Sequence, residues 1–422
     1  MNKKNELKDF YILWITQSLS QLGSAVTSFA LTLWLYEKTG SALSTAMLRI
    51  CTYAPYVVMS IFAGAVTDRF DKKRTMLLCD LAAALMTTVV FVLYKADMLC
   101  VWHLYLINAV TGLMNTVQQP ASEVAYTMII PGKFYQKTSG LQSLSRSLIT
   151  IGNPMIAAAV YGIAGLDAAV TVDLVTFAVA FTALMFFVRI PEVPGRKENG
   201  NVITLAKEGL LFLKENRLIL DVILFMSGVN FVASAFDAVL PAYILPHPRG
   251  GNVMLGIVTS CSGLAMAAGS MIAAVMPKPK DRVRVIYLTM LFSLGTENYL
   301  LAFSDNPVIW CIGQILGWIF VPVMAANQNV IMRTAVPARL QGRVYACRNT
   351  LQFFTIPLGL IAGGFMVDEI CAPLMSSASV LTPFFGSSKS SGAALMLFIL
   401  GLAGTVMCLA FGRRLRKYKF TD

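Results

Sequence analysis

Long apolar runs dominate this chain of 422 residues. Stretches of roughly 20 apolar residues, the length that an α-helix needs to cross a hydrocarbon layer of about 30 Å, recur from one end to the other. Only 13% of the residues are charged and 56% are apolar, and so few charges cannot coat a soluble globule of this size. Because hydrocarbon offers no partners to backbone amides, such runs must form helices or a closed barrel. They are too long for barrel strands and lack strand alternation, so we predict an all-α polytopic membrane protein.

Twelve such runs can be counted. The longest polar connection follows the sixth run, and it divides the chain into a predicted N-terminal six-helix bundle at 1–189, a cytoplasmic linker at 190–217 and a C-terminal six-helix bundle at 218–422. Leucines recur on one side of residues 203–216, which predicts an amphipathic helix within the linker. The predicted spans are 10–36, 43–67, 75–94, 100–124, 138–163, 168–189, 218–243, 252–276, 284–304, 307–332, 342–367 and 391–412.

The distribution of Lys and Arg predicts the orientation, since cytoplasmic loops are enriched in these residues. With an even number of spans and a cytoplasmic N-terminus, 27 of the 34 basic residues fall inside, 4 fall outside and 3 lie within spans. We therefore expect a multi-pass protein of the cell membrane with both termini in the cytoplasm. The basic residues are spread over every cytoplasmic loop, so the net charge of +12 does not indicate a nucleic-acid partner. The polar start before a long first run favours a retained first helix over a signal peptide.

The sequence carries no pattern typical of a metal or catalytic site. Its eight cysteines are scattered without a CxxC pair, and its two histidines are isolated near span ends. It contains no phosphate-binding Gly-rich motif with a following Lys, and no assembled nucleophile. We expect no metal, no other cofactor and no enzymatic activity.

Charged residues inside apolar spans are costly and are functional-site hypotheses by default. A carboxylate taken out of water favours its neutral form, so such a group could load and release a proton. For the arginines in spans 5 and 11, the alternative is snorkelling to the inner headgroups, and for the glutamate in span 4 it is a structural ion pair. The candidates are Arg49, Glu123, Arg146, Asp237, Glu297 and Arg348.

A dense run of charge from Gly64 to Arg74 separates the second and third apolar runs. Its sequence, G-A-V-T-D-R-F-D-K-K-R, resembles the signature loop of the major facilitator superfamily, G-x-x-x-D-R-x-G-R-K/R. Blocks at 12–24, 120–121, 341–346, 356–359 and 362–364 are similar to the macrolide-efflux (drug:proton antiporter) branch of that superfamily. The resemblance implies 12 transmembrane helices in two pseudo-symmetric bundles that carry a small molecule by alternating access.

The resemblance also implies a conformational latch in the charged loop. Gly64 would permit close helix approach, and Asp68 would cap the N-terminus of span 11, whose free amides attract an anion. Arg69 and Lys73 would hold neighbouring loops and acidic headgroups. The alternative is that these charges only enforce the topology.

Spans 1, 4, 7 and 10 are expected to line the cavity in this superfamily. The polar candidates there are Gln17, Gln21, Asn108, Asn115, Asn230, Gln314 and Asn327. Asn108 stands near the place where many proton-coupled exporters of the superfamily carry an Arg. Residues expected to give flexibility to spans 5 and 11 are Gly152, Pro154, Pro357 and Gly359.

Together these features predict a secondary active transporter that exports an apolar or amphipathic small molecule in exchange for protons. We expect a monomer embedded in the lipid bilayer. One alternative is an uncoupled or uptake facilitator, and a second is a transport-inactive sensor or scaffold. A membrane-embedded enzyme is the third alternative, and it would require turnover of a lipid or a peptide.

Overall fold

The computed structural model describes residues 7–69, 71–131, 134–191, 202–277, 279–337, 340–377, 381–386 and 390–418. Every regular element in these ranges is helical, so the predicted all-α class is confirmed. The helices of the first part of the chain are α1 (Lys8–Thr39), α2 (Ala42–Arg69), α3 (Lys72–Lys95), α4 (Val101–Ile129) and α5 (Tyr135–Thr182). Helix α5 continues into a π-helical turn at Ala183–Phe187.

Helix α5 covers both the fifth and the sixth predicted spans. It is interrupted at Gly165, whose φ of 70° and ψ of −170° are not helical. Glycine adopts a positive φ without steric cost because it lacks a Cβ atom. The break lies where the sequence predicts the short connection between the two spans, so α5 consists of two consecutive helices.

The second part of the chain begins with a short helix in the region of the predicted amphipathic segment, α6 (Val202–Glu215). Leu213 on this helix is fully buried against Ile219 and Val344, whereas Leu210 is 54% exposed. The helices that follow are α7 (Arg217–Ile244), α8 (Asn252–Val275), α9 (Arg282–Ala302), α10 (Pro307–Trp318), α11 (Val321–Ala335), α12 (Gln341–Phe353), α13 (Thr355–Phe365), α14 (Ala372–Ser377), α15 (Thr382–Phe385) and α16 (Ser391–Leu415).

Eight helical segments among the described residues are long and apolar enough to cross a membrane. They are Lys72–Lys95, Leu144–Phe187, Arg217–Ile244, Asn252–Val275, Arg282–Ala302, Pro307–Met332, Cys347–Met375 and Ser391–Leu415. Helices α1, α2 and α4 have spanning length, at 32, 28 and 29 residues, but are not among the eight. The count of twelve spans therefore stays a prediction.

The chain forms two compact units. Unit 1 comprises Met1–Glu37 and Cys51–Asn199, and unit 2 comprises Lys38–Ile50 and Gly200–Asp422. The predicted halves fall into different units with one exception, residues 38–50, which belong to unit 2 although they precede most of unit 1 in sequence. Helix α2 therefore begins in unit 2 and ends in unit 1.

Close backbone packing joins α13 to α7 inside unit 2. A Cβ atom at Gly359 would collide with the carbonyl oxygen of Phe231, and one at Gly363 would collide with that of Ala235. Small residues allow membrane helices to approach closely where no hydrophobic force drives association. By contrast, a Cβ atom at Gly152 in α5 would lie 3.5 Å from the Ile156 side chain, an ordinary contact.

This difference predicts opposite effects for two glycines that the sequence assigns the same role. We expect Gly359→Ala to lower the thermal midpoint of the purified protein in detergent, because α13 would have to separate from α7. We expect Gly152→Ala to leave the midpoint unchanged or to raise it, since alanine is favoured by about 0.5–1 kcal/mol in a helix. An unchanged midpoint for Gly359→Ala, or an equal loss for both variants, would contradict this packing.

Candidate functional site

A cavity of about 1000 Å³ lies within unit 1, between α1, α3, α4 and α5. Its wall carries amide and hydroxyl groups together with the aromatic rings of Trp14, Tyr126 and Phe177. Three of the residues predicted to line a cavity do so here: Gln17, Gln21 and Asn115. The wall therefore offers both polar partners and apolar surface to a ligand.

Asp80 on α3 is a buried carboxylate in this wall, with 8% of its surface exposed. Gln17 of α1 donates to its Oδ2 atom over 3.1 Å, and Gln118 of α4 donates to its Oδ1 atom. Both carboxylate oxygens thus accept hydrogen bonds from neutral amides. Buried polar groups require such partners, because an unsatisfied one is costly.

A second buried carboxylate, Asp173 on α5, lines the same cavity and is 5% exposed. Its Oδ1 atom accepts from the Ser24 hydroxyl at 2.8 Å, and its Oδ2 atom accepts from the Thr87 hydroxyl at 3.3 Å. Asp173 is therefore also held by neutral donors. Among the described residues, no cation forms an ion pair with either aspartate.

The two carboxylates lie at successive levels along the contact between α1 and α3. Asp80 contacts Gln17 at one level, and Asp173 contacts Ser24 and Thr87 at the next. Gln17 and Ser24 are seven residues apart on α1, and Asp80 and Thr87 are seven residues apart on α3. Seven residues make two helical turns, which brings both members of each pair to one face about 10 Å apart. One layer holds Asp80 and the next holds Asp173, so a ligand in the cavity could meet both.

Two candidate charges line the same cavity, namely Glu123 of α4 and Arg146 of α5. Both residues are exposed, in contrast to the two aspartates. The cavity wall thus includes an acidic residue and a basic residue in addition to the buried carboxylates. Asn108, predicted to line a cavity, is not part of this wall: it accepts from Thr52 over 3.1 Å and donates to the Leu104 carbonyl over 2.8 Å.

Two other candidate charges pair with each other in unit 2. The Nη1 atom of Arg49 lies 3.4 Å from the Oδ2 atom of Asp237, and the side chains are 34% and 41% exposed. Glu297 on α9 is buried and accepts from the indole N–H of Trp318 over 2.9 Å. Asp237 is thus neutralised by a cation, whereas Glu297 is held by a neutral donor.

The remaining polar candidates make local contacts in unit 2. Arg348 donates to Asn349 over 3.0 and 3.2 Å, and its guanidinium lies 5.1 Å from the ring centre of Tyr345. Asn230 donates to the carbonyl of Gln352 over 2.9 Å, which joins α7 to α12.

Two further candidates in unit 2 are buried. Asn327 accepts from Arg282 over 3.0 Å. Gln314 is 1% exposed, and its amide nitrogen has no hydrogen-bond partner in the part of the chain that the structure describes. Neither residue lines the cavity of unit 1.

The predicted latch residues Gly64, Asp68 and Arg69 lie on the helical backbone of α2, and their side chains are outside the described part of the structure. Lys73 is described, and its Nζ atom donates to the carbonyls of Met185 and Val188 over 3.0 and 2.8 Å. Carbonyls at a helix C-terminus lack intrahelical partners and attract cations. Lys73 therefore caps the end of the α5 segment within unit 1.

The two prolines predicted to give flexibility occupy different positions. Pro154 lies inside α5, where it removes one backbone hydrogen bond, and Pro357 lies in the first turn of α13.

Sequence reasoning did not single out Asp80, Asp173 or Gln118 as site residues. The sequence did contain a signal for Asp80, because a carboxylate in an apolar run is costly. Asp80 is the one charged residue between Thr75 and Tyr94. No periodicity distinguishes a cavity-facing side chain from one that faces another helix, so the pairing of Asp173 with α1 and α3 required the structure.

Comparison with known proteins yields consistent matches. The family profile described as Major Facilitator Superfamily matches residues 13–359. Macrolide efflux protein A of Streptococcus pyogenes is 26% identical over 376 residues, which cover 88% of this chain and 92% of that protein. Multidrug efflux pump Tap of Mycolicibacterium fortuitum is 25% identical, with coverage of 82% and 86%. Among solved structures, a bacterial homolog of the human lysosomal transporter Spinster, inward-facing, superposes with a TM-score of 0.75 at 12% identity over 100% of both chains.

The contacts of Lys73 predict a structural role that does not depend on transport. We expect Lys73→Met to lower the stability of the detergent-purified protein by about 1 kcal/mol, because two carbonyls lose a charged donor. Arg74→Met is the matched control, since the neighbouring Arg74 side chain is exposed. Equal thermal midpoints for the two variants would show that this cap contributes nothing.

Proposed function

The chain belongs to the Major Facilitator Superfamily, and we propose that it exports an amphipathic small molecule from the cell by alternating access. Membership makes it a multi-pass membrane transporter of small molecules. The observation that carries the finer proposal is the cavity of unit 1, whose wall combines buried carboxylates with amides, hydroxyls and aromatic rings. A site of this kind is large enough for a drug-sized ligand, since such pockets measure roughly 300–1,000 Å³.

The combination of apolar and polar groups in the cavity wall supports an amphipathic cargo. The rings of Trp14, Tyr126 and Phe177 offer apolar contact, while Gln21 and Asn115 offer hydrogen bonds. The relatives named as macrolide and multidrug efflux pumps support the direction of export and make a macrolide a suitable first cargo to test.

The two buried aspartates support proton coupling. Because neutral amides and hydroxyls hold Asp80 and Asp173, uptake of a proton changes the net charge of the wall instead of breaking an ion pair. The other charged groups of the same wall are Glu123 and Arg146. We propose that cargo and proton compete for this cavity, so that a proton entering from outside displaces the cargo. In this scheme Glu297 and Asp237 of unit 2 serve as further candidates for coupling.

The proposal also covers the orientation of the chain in the membrane and its oligomeric state. The asymmetric distribution of Lys and Arg supports cytoplasmic termini, and the function proposed requires one chain only, so we propose a monomer in the cell membrane.

Proteoliposomes loaded with radiolabelled erythromycin test the proposal. We expect transport driven by an imposed proton gradient, and a protonophore should abolish it. Asp173→Asn and Asp80→Asn should each lower gradient-driven transport by about tenfold or more, because an amide cannot carry a proton. Both variants should retain exchange of labelled for unlabelled erythromycin at equal pH, which requires binding and alternation only.

The matched control is Asp167→Asn, which removes an acid that lies outside the cavity and pairs with Lys95 over 2.5 Å. It should transport like the wild type. Protonophore-insensitive transport would contradict coupling and favour a facilitator. Binding without transport or exchange would favour a sensor.

A further inference from the structure

Exposed cations lie together where α9 begins and α16 ends, at the predicted cytoplasmic end of unit 2. They are Arg284 of α9 and Arg413, Arg416 and Lys417 at the end of α16, and we call these four residues the basic cluster. Tyr287 of α9 joins the two helices at this point. Its hydroxyl accepts from the Nε atom of Arg416 over 3.0 Å, and the Arg416 guanidinium lies 5.7 Å from the centre of its ring.

The spacing of the cations and the packing of the two helices bring the cluster together. Arg284 precedes Tyr287 by three residues, and Arg413 precedes Arg416 by three, so each pair lies on one face of its helix. A Cβ atom at Gly412 would lie 3.0 Å from the Tyr287 ring, so the absence of a side chain there lets the ring pack against α16. The cations of both helices therefore lie at the same end of the contact between α9 and α16.

Acidic side chains at this end of unit 2 bind other groups. Asp281 caps α9 by accepting from two backbone N–H groups of its first turn, each over 3.1 Å. Asp221 accepts from Arg414 over 2.8 Å and from the Tyr418 hydroxyl over 3.1 Å. Among the residues that the structure describes, no carboxylate forms an ion pair with a member of the basic cluster. The cluster therefore carries an excess of positive charge.

Helix stability does not account for all four cations. The C-terminal end of a helix favours positive charge, which suits the arginines of α16. The N-terminal end disfavours it, yet Arg284 lies in the first turn of α9. A phosphate beside Arg284 would be attracted by the guanidinium and by the positive end of the α9 dipole together. The position of Arg284 therefore favours an anionic ligand.

Exposed apolar side chains continue from the basic cluster along both helices. On α16, Leu409 and Val406 precede Arg413 by four and seven residues. On α9, Leu288 and Phe292 follow the arginine of the cluster by four and eight residues. Residues at these spacings share one face of a helix. On each helix a cation thus lies at the end of an exposed apolar stripe, an arrangement that matches the headgroup and the acyl chains of a lipid.

We propose that the basic cluster binds the phosphate of an anionic phospholipid of the cytoplasmic leaflet, with the acyl chains along the exposed apolar side chains of α9 and α16. Guanidinium groups bind phosphate through paired hydrogen bonds, and clustered Lys and Arg beside a spanning helix attract acidic lipids. A zwitterionic headgroup brings an ammonium group of its own, which the cluster repels. None of these residues lines the cavity of unit 1, so the lipid site is separate from the proposed cargo site.

Lipid binding to the purified full chain tests the site. The protein in nonionic detergent receives dioleoylphosphatidylglycerol or dioleoylphosphatidylcholine, and native mass spectrometry measures the bound fraction and the Kd. Phosphatidylglycerol should bind about tenfold more tightly than phosphatidylcholine. The double variant Arg284→Gln, Arg413→Gln should weaken phosphatidylglycerol binding by about tenfold or more, as expected for the loss of two cations at a membrane surface. Its phosphatidylcholine binding should not change.

The matched control is the double variant Arg74→Gln, Arg189→Gln, which removes two exposed cations at the same predicted face of unit 1 and should bind phosphatidylglycerol like the wild type. Equal losses in the two double variants would show that total charge alone attracts the lipid and would overturn the site. Arg413→Gln alone carries the same test where the double variant does not purify, and an unchanged Kd there counts against the site.

Two further results would also overturn the proposal. One is an equal Kd for both lipids in the wild type. The other is displacement of bound phosphatidylglycerol by millimolar inorganic phosphate, which would assign the cluster to a free anion instead of a lipid headgroup. Because these measurements need no cargo, a failure to transport erythromycin would contradict the proposed function and leave the lipid site standing.

Discussion

Hydrocarbon provides no hydrogen-bond partners, so each polar group in the membrane must find its partner within the chain. This constraint explains why the described chain is helical and where its polar side chains lie. Asp80 is satisfied by two amides, Glu297 by an indole N–H, and the Lys73 ammonium by two helix-end carbonyls. The N-terminus of α2 is satisfied by the Asp368 carboxylate.

Whether a buried carboxylate contacts a cation or a neutral donor determines its suitability for proton exchange. A carboxylate held by an arginine, as Asp237 is by Arg49, has a neutralising cation beside it. Carboxylates held by amides and hydroxyls, as Asp80 and Asp173 are, have no neutralising cation among the described residues. Unit 1 therefore offers groups suited to binding and releasing a proton beside a ligand cavity.

The sequence predicted the helical class and most of the element positions, because apolar runs of spanning length depend on local composition alone. It also placed the connection between the fifth and sixth spans, where Gly165 breaks α5. Three of its cavity candidates, Gln17, Gln21 and Asn115, line the cavity. Asn230 and Asn327 instead join neighbouring helices, since a polar residue in a span serves packing as readily as binding.

The sequence did not predict which side chains form contacts between distant parts of the chain. The pairing of Arg49 with Asp237 joins residues that are far apart in the chain, and neither apolar periodicity nor charge count encodes it. The same holds for Asp368, which lies 325 residues beyond Leu43 and resembles an ordinary acid at the end of a span. Helix rotation and tilt, set by packing against neighbours, decide these contacts.

We propose that cargo and proton share the cavity of unit 1, and the release of protons on cargo binding tests this proposal. Purified protein in weakly buffered detergent solution receives erythromycin while a pH-sensitive dye reports released protons and tryptophan fluorescence reports binding. Binding to the wild type should release protons, and binding to the Asp80→Asn, Asp173→Asn double variant should release none. Equal release from both proteins, or binding to the wild type without release, would contradict it.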